Sequence, residues 1–274
     1  MSKEEDHKKQ LEEMEKIVEE KEKKQDDVIS KLADEKFKEE EGRLSPEEKS
    51  RQQRYNREEI EKLESWVPKT LLGKEVRTGK IKNIDEIFER GRKILEPEII
   101  DILIPNLIKD VLFIGQSKGK FGGGKRRAFR QTQKVSKEGT SLTFGVMAVV
   151  GDGNGHVGIG YGRASETLPA KEKALRKAKL NLIKIPRGCA SYDCSCNDPH
   201  SIPISVEGKC SSVKIKLIPA PQGTGLVVSD EIKKIMKAAG IKDIYSKSSG
   251  KVRTTFNTAK ACMKALNKLN QLEF

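Results

Sequence analysis

Apolar positions follow three different spacings along the chain. In residues 1–64 they are sparse: Leu11, Met14, Ile17 and Val18, then Val28, Ile29 and Leu32, stand inside long Glu/Lys runs. That spacing permits helix, but too few apolar residues exist to bury a face, so a charged extension is predicted, helical or disordered. A coiled coil is the sharper alternative, weakened because no heptad is sustained. From residue 65 the pattern thickens. Ile84, Ile87 and Phe88 keep helical spacing, Pro97 interrupts it, and a very apolar run reaches Ile114. Residues 65–114 are therefore predicted as two short helices and an extended piece, a lead-in that packs on the domain after it.

A period of two comes next. Val146–Val150 and Val157–Tyr161 are predicted as paired strands, with Asn154-Gly155 as a type I′ turn and Asp152 bracing it. Gly153, Gly155 and Gly158 spell G-x-G-x-x-G, yet the residues that follow alternate Val157, Ile159 and Tyr161 with glycine. A dinucleotide site needs a helix there, so the cofactor reading fails. The alternating glycines instead leave one strand face bare, for close approach of a helix or of RNA. Helical spacing resumes over residues 165–185, with Leu175, Ala178 and Leu182 on one face and Lys173, Arg176, Lys177 and Lys184 on the other. Residues 203–274 are predicted β-β-α-β-α: two strands turning at Gly208, a helix capped by Ser229 and ended by Gly240, a short strand, and a final amphipathic helix with Cys262 in its core face.

Charge sharpens this picture. The chain holds 54 Lys+Arg against 41 Asp+Glu, a net of +13. Residues 1–64 contain 16 basic and 22 acidic side chains, which leaves 38 basic and 19 acidic, net +19, on residues 65–274. A positive field on the part that folds points to an anionic polymer, most often nucleic acid. Its densest point is residues 115–137, where eight Lys/Arg, five glycines and no acid occur together. This segment is predicted to be a flexible basic loop that cannot build a core. Lys118, Lys120, Lys125, Arg126, Arg127, Arg130 and Lys134 are its candidate phosphate contacts, and Phe121 and Phe129 its candidate stacking groups. Arg163 and the helix face of Lys173, Arg176 and Lys177 are further RNA candidates, against the alternative of a merely solvated face.

The cysteines add a second chemistry. Cys189, Cys194, Cys196 and His200 form C-x4-C-x-C-x3-H in a short polar linker, residues 187–202, with Cys210 as an alternative ligand. Zinc takes four such donors tetrahedrally. The tight C-x-C and the absence of C-x2-C pairs favour reduced thiols instead, and His200 is also a candidate RNA contact. For catalysis there is little: His7, His156 and His200 sit in unrelated contexts, and no nucleophile elbow, P-loop or H-E-x-x-H occurs. No stretch approaches the roughly 20 apolar residues of a membrane span, and the N-terminus is too charged for a signal peptide. A cytoplasmic protein with no membrane and no small-molecule substrate is expected.

The stretch from Gly145 to Ile185, with GVMAVVGDGNGHVGIGYGRASETLPAKEKALRKAKLNLIKI, resembles the S-five family of small-subunit ribosomal proteins. IPAPQGTG at 218–225 and AGIKD at 239–243 are similar to the same family's C-terminal domain. The likeness covers roughly residues 84–270, and the GKFGGGKRR insertion and cysteine cluster make it archaeal in type. It implies an α+β fold: residues 115–186 a domain related to the double-stranded-RNA-binding domain, residues 203–274 a left-handed β-α-β domain shared with some kinases. It further implies a ribosome-bound structural protein that binds ribosomal RNA beside S-four and S-three proteins, near the mRNA entrance and decoding region, with an influence on accuracy. A free double-stranded-RNA-binding or RNA-chaperone module is the rival. A small-molecule kinase is weaker still, because fold alone carries no activity.

Overall fold

A computed structural model describes Leu63 and residues 65–116, 126–190, 192–194, 196 and 198–270. Almost all of the predicted charged extension, residues 1–64, lies outside them, as do Lys118, Lys120, Phe121 and Lys125 of the basic segment. The chain divides into Met1–Ser65 and Trp66–Phe274, and the elements described belong to the second unit.

Three short helices open it: α1 (Leu71–Arg77), α2 (Asp85–Glu89) and α3 (Glu98–Leu103). The sequence pattern anticipated α2 and α3 and missed α1, whose start is set by Thr70, its hydroxyl accepting the Gly73 N–H at 3.1 Å. Strands β1 (Ile108–Leu112), β2 (Arg130–Ser136), β3 (Gly139–Gly151), β4 (His156–Ala164) and β5 (Leu182–Lys184) form one sheet. Its order is β1-β3-β4-β5, and β2 shares with β1 the far edge of the long β3: Arg130 pairs Gly145 and Ile108 pairs Gly151. Residues 130–136 are thus a strand, not part of a flexible loop. The glycines of that segment all lie before residue 125, and Thr132 and Val135 suit a sheet edge.

Helix α4 (Thr167–Leu180) lies across β3 and β4. It ends five residues sooner than the sequence periodicity predicted, because Leu182–Lys184 pairs with Gly158–His156 as β5. Leu182 therefore reaches the core from a strand, and the buried helix face is Ala170, Ala174 and Ala178. Opposite this alanine row stand Gly158, Gly160 and Gly162. A Cβ at any of the three would collide with α4 backbone: with Ala178 O, Ala174 O and Ala170 O respectively. The glycines are spaced by two on a strand and the alanines by four on a helix, so backbone meets backbone along the whole contact. A helix, not RNA, fills the bare face.

The other face of β3 and β4 shares a core with the C-terminal half. There β6 (Val206–Cys210), β7 (Val213–Pro219), β8 (Leu226–Val227) and β9 (Ile244–Ser249) form a second sheet in the order β6-β7-β9-β8. Helices α5 (Asp230–Ala239) and α6 (Thr255–Asn270) complete it. The short β8 was absent from the predicted order; it pairs parallel with β9 across the α5 crossover. The first turn also moved: Gly208 sits inside β6, facing Ala261 and Ala265 of α6, and Ser211 (φ 55°) makes the bend. Ser229 occupies the N-cap of α5 without a side-chain cap bond, while Gly240 ends that helix at φ 75° as expected. Met147, Val149 and Val157 join Ile232, Ile235, Met236 and Cys262 in one continuous cluster.

The hairpin tip explains the remaining glycines. Positive φ falls on Gly153 and Gly155, not on Asn154, so the type I′ turn is replaced by a wider loop. Asp152 Oδ1 braces it, accepting from Asn154 N at 2.7 Å and His156 N at 3.0 Å. The Gly153 and Gly155 N–H groups each donate at 3.0 Å to Ala238 O and Ala239 O, the orphan carbonyls at the end of α5. His156, 5 % exposed, ties the tip to α2: Nδ1 lies 2.5 Å from Asp152 Oδ2, Nε2 3.2 Å from Asp85 Oδ1, and the ring stacks on Phe88. Burial opposes charge on this ring, but the two carboxylates outweigh it and hold its pKa above the ordinary 6.5. Asp85, paired first with Lys184, and Asp152, whose hydrogen bonds outweigh its burial, are both held below 3.8.

Two outcomes follow from this packing. Gly160→Ala is expected to lower stability by about 1–3 kcal/mol, since α4 must lift to clear the new methyl; a shifted urea midpoint at unchanged m measures it. His156 stabilises below its unfolded pKa and loses that contribution as pH rises through its folded pKa. The aspartates stabilise above theirs and lose it as pH falls. The Tm difference between the protein and its His156→Gln variant should therefore be greatest at about pH 5–6 and shrink on both sides.

Candidate nucleic-acid interface and metal centre

Gly115 N donates to Arg127 O at 2.9 Å, and Arg127 N to Gln116 O at 3.3 Å. Arg126, predicted to meet phosphate, turns inward. Its guanidinium donates to Arg253 O at 2.6 Å and Thr255 Oγ1 at 3.2 Å, at the start of α6. Phe129, predicted to stack on a base, instead packs against Val146, Ala148, Ala170 and Ala174. A phenyl ring beside a face of small residues gains more from burial there than from solvent. Arg127, Arg130 and Lys134 are exposed.

Arg130 and Arg163 lie in one row across the sheet, with side-chain-less Gly145 between them. Arg163 donates to Thr143 Oγ1 at 2.8 Å, which holds its guanidinium over the β2–β3–β4 face. On α4, Lys173, Arg176 and Lys177 are exposed, opposite the alanine row, because close packing of the alanines leaves no other direction for long side chains. The sequence overlooked Lys260 and Lys264, both exposed on α6. Their four-residue spacing was available; their nearness to Lys177 was not.

The Cys/His linker converges. Cys189, Cys194, Cys196 and His200 each offer a donor atom, and all four atoms lie within 4.8 Å of one another. Backbone bonds Gly188 N to Ser201 O at 2.9 Å and Ser201 N to Gly188 O at 3.0 Å close the loop base. Cys194 Sγ lies 3.6 Å from His200 Nε2, and Cys196 Sγ 3.6 Å from Cys189 Sγ. A tetrahedral zinc with bonds of about 2.0–2.3 Å places its donors about 3.5–3.8 Å apart. Cys194 and Cys196 are closer, 2.9 Å. The hydrogen bond between them, with backbone bonds from Cys196 and Gln222, pulls the Cys194 thiol down to about 6, while Cys196 is pushed up to about 12 by its neighbour. One thiolate is thus favoured already, and a dication would favour the next. Cys210, the alternative ligand, pairs with Val213 at the end of β6 and is not in the cluster.

His200, 3 % exposed, is framed from elsewhere in the fold. Its carbonyl accepts Lys242 N at 2.9 Å and Asp243 N at 3.1 Å. Asp243 Oδ2 stands 2.9 Å from Nδ1, an ion-pair distance at an angle outside hydrogen-bond geometry. Nε2 is left facing the thiols, with the Asp243 carboxylate at ion-pair distance behind the ring. Among the described residues no helix is long and apolar enough to cross a membrane.

Exposed cations on α4, β2 and β4 give this body an extended positive surface, the kind that suits a polyanion. Comparison with known proteins gives that class a family. Residues 125–186 match "Ribosomal protein S5, N-terminal domain" and residues 208–273 match "Ribosomal protein S5, C-terminal domain". A small ribosomal subunit protein uS5 of Nanoarchaeum equitans is 49 % identical over 210 residues, 77 % of this chain and 90 % of that protein. Those of Thermofilum pendens and Methanocaldococcus jannaschii are 48 % and 42 % identical, over 75 % and 76 % of this chain and 95 % and 89 % of theirs. The chain belongs to the ribosomal protein S5 family, in its archaeal type.

Proposed function

We propose that this chain is a structural, non-enzymatic constituent of the small ribosomal subunit in the cytoplasm, and that it binds ribosomal RNA. The observation that carries the reading is the match to archaeal small-subunit proteins, over 77 % of this chain and 90 % of the Nanoarchaeum equitans protein, with the glycine strand and alanine helix that present the α4 cations inside the matched N-terminal domain. In this reading residues 65–114 brace the RNA-binding domain, residues 115–186, whose fold is related to the double-stranded-RNA-binding domain. Residues 187–202 link it to the C-terminal domain, 203–274, and 1–64 are a charged extension. Its neighbours are proteins of the S-four and S-three families, with mRNA near its entrance channel, and its placement influences decoding accuracy. Arg127, Arg130, Lys134, Arg163, Lys173, Arg176 and Lys177 contact RNA, with Lys118, Lys120, Phe121 and Lys125 beside them. The Cys189, Cys194, Cys196 and His200 cluster holds one zinc ion, supported by its donor set and by the carboxylate behind His200.

Three measurements test this. The protein should co-sediment with small subunits through a moderate salt wash; recovery only as free protein would replace the ribosomal reading with a free RNA-binding module. Replacing Arg127 and Arg130 by Gln should lower the slope of log affinity for ribosomal RNA against log salt by about 2, with stability nearly unchanged. Protein purified under reducing, metal-replete conditions should carry about one zinc per chain and lose it on Cys194→Ser. Elemental analysis that finds none returns the cluster to reduced thiols.

A further inference from the structure

A groove of about 650 Å³ runs between α4, the β4–β5 edge and α6. Ile159, Tyr161 and Met263 form part of its floor. Lys177 and Asn181 stand on one rim, at the end of α4; Lys260, Lys264 and Asn267 of α6 stand on the other. The rims come from different halves of the molecule, and only the shared core brings them together.

The charge here is one-sided. No acidic residue is among those that line the groove, and none of its three lysines pairs with a carboxylate among the described residues. Lys260 Nζ is held 4.3 Å over the Phe256 ring, beside the floor. Lys260 and Lys264 are one helical turn apart, where like charges disfavour the helix unless a counter-charge is near. A concave surface lined by one sign of charge focuses its field on whatever enters. The occupant is therefore anionic.

The rest of the lining selects among anions. Both rims carry a primary amide, which donates and accepts, as base edges and 2′-hydroxyls require. The floor is apolar, with the half-buried Tyr161 ring held edge-on to Phe256 at 5.1 Å. A basic track over an aromatic and aliphatic floor is the chemistry of unpaired nucleotides. We propose that the groove seats a single-stranded or looped RNA segment, with phosphates on Lys177, Lys260 and Lys264 and one base over Ile159, Tyr161 and Met263. This rests on the reading of the chain as a ribosomal-RNA-binding protein and adds to it a site built jointly by both halves.

The test compares the full chain with Lys260→Gln/Lys264→Gln and with the charge-matched pair Lys80→Gln/Lys82→Gln, exposed at the α1–α2 turn and not among the groove's lining residues. Binding to deproteinised small-subunit ribosomal RNA is measured over a range of salt. The groove pair should lose about 2 from the salt slope and several-fold in affinity, and the control pair clearly less. Both groove lysines are exposed, so Tm should hold; if the double variant melts early, each single variant should lose about 1 from the slope. Equal effects in the groove and control pairs, or none in the groove pair, overturn the proposal. So does a photo-crosslinker at Asn267 that, in reconstituted subunits, labels protein rather than RNA. Failure of the unaltered chain to bind this RNA at all is a different result: it overturns the ribosomal reading itself.

Discussion

The contact between the glycines of β4 and the alanines of α4 is the constraint on which the remainder depends. Gly158, Gly160 and Gly162 have no side chain to hold α4 away, and Ala170, Ala174 and Ala178 add only a methyl each. The helix therefore lies on the strand at backbone distance, where dispersion contacts are dense and tolerance to added volume is small. The same device recurs. Gly208 of β6 admits Ala261 and Ala265 of α6, Gly151 admits Ala238 of α5, and Gly240 admits the Gly153 carbonyl. Each half is closed by a helix on a glycine-bearing strand, and the two halves meet through a third contact of that kind.

The chemistry of the surface follows from this close packing. With its small face buried, α4 turns Lys173, Arg176 and Lys177 outward. With the hairpin tip docked on the end of α5, one face of β3 and β4 is buried by the C-terminal half, and α6 comes to lie across a groove from α4. The hairpin tip also meets α2 through His156, so the lead-in helices, the hairpin and the C-terminal half register on the same few residues.

The cysteine cluster combines local and distant determinants. Its four donors come from one short loop and converge because Gly188 and Ser201 close that loop's base. Its frame is remote: Asp243 stands behind His200, and the same carboxylate accepts Gly225 N at 2.7 Å through Oδ1. The Gln222 backbone bond to Cys194 comes from that same turn, so the two motifs of the C-terminal half that were legible in the sequence, at 218–225 and 239–243, enclose the cluster.

The sequence alone determined whatever depends on neighbours along the chain. It held the β3–β4 hairpin, the strand that follows the G-x-G-x-x-G glycines, the helix stop at Gly240, the family, and the spacing of the four clustered Cys/His residues. Three of its local departures from the structure share one cause. Leu182 was placed on a helix, Gly208 at a turn and residues 130–136 in a loop, because residue type was weighed without knowing which strand edge stood alongside. Only the tertiary structure decided what filled the bare glycine face and partly covered Phe129. It also turned Arg126 onto α6, placed Asp243 behind His200 and set Lys260 and Lys264 opposite Lys177. Those outcomes depend on residues far apart in sequence that become neighbours through packing, and local periodicity carries no information about which surfaces will meet.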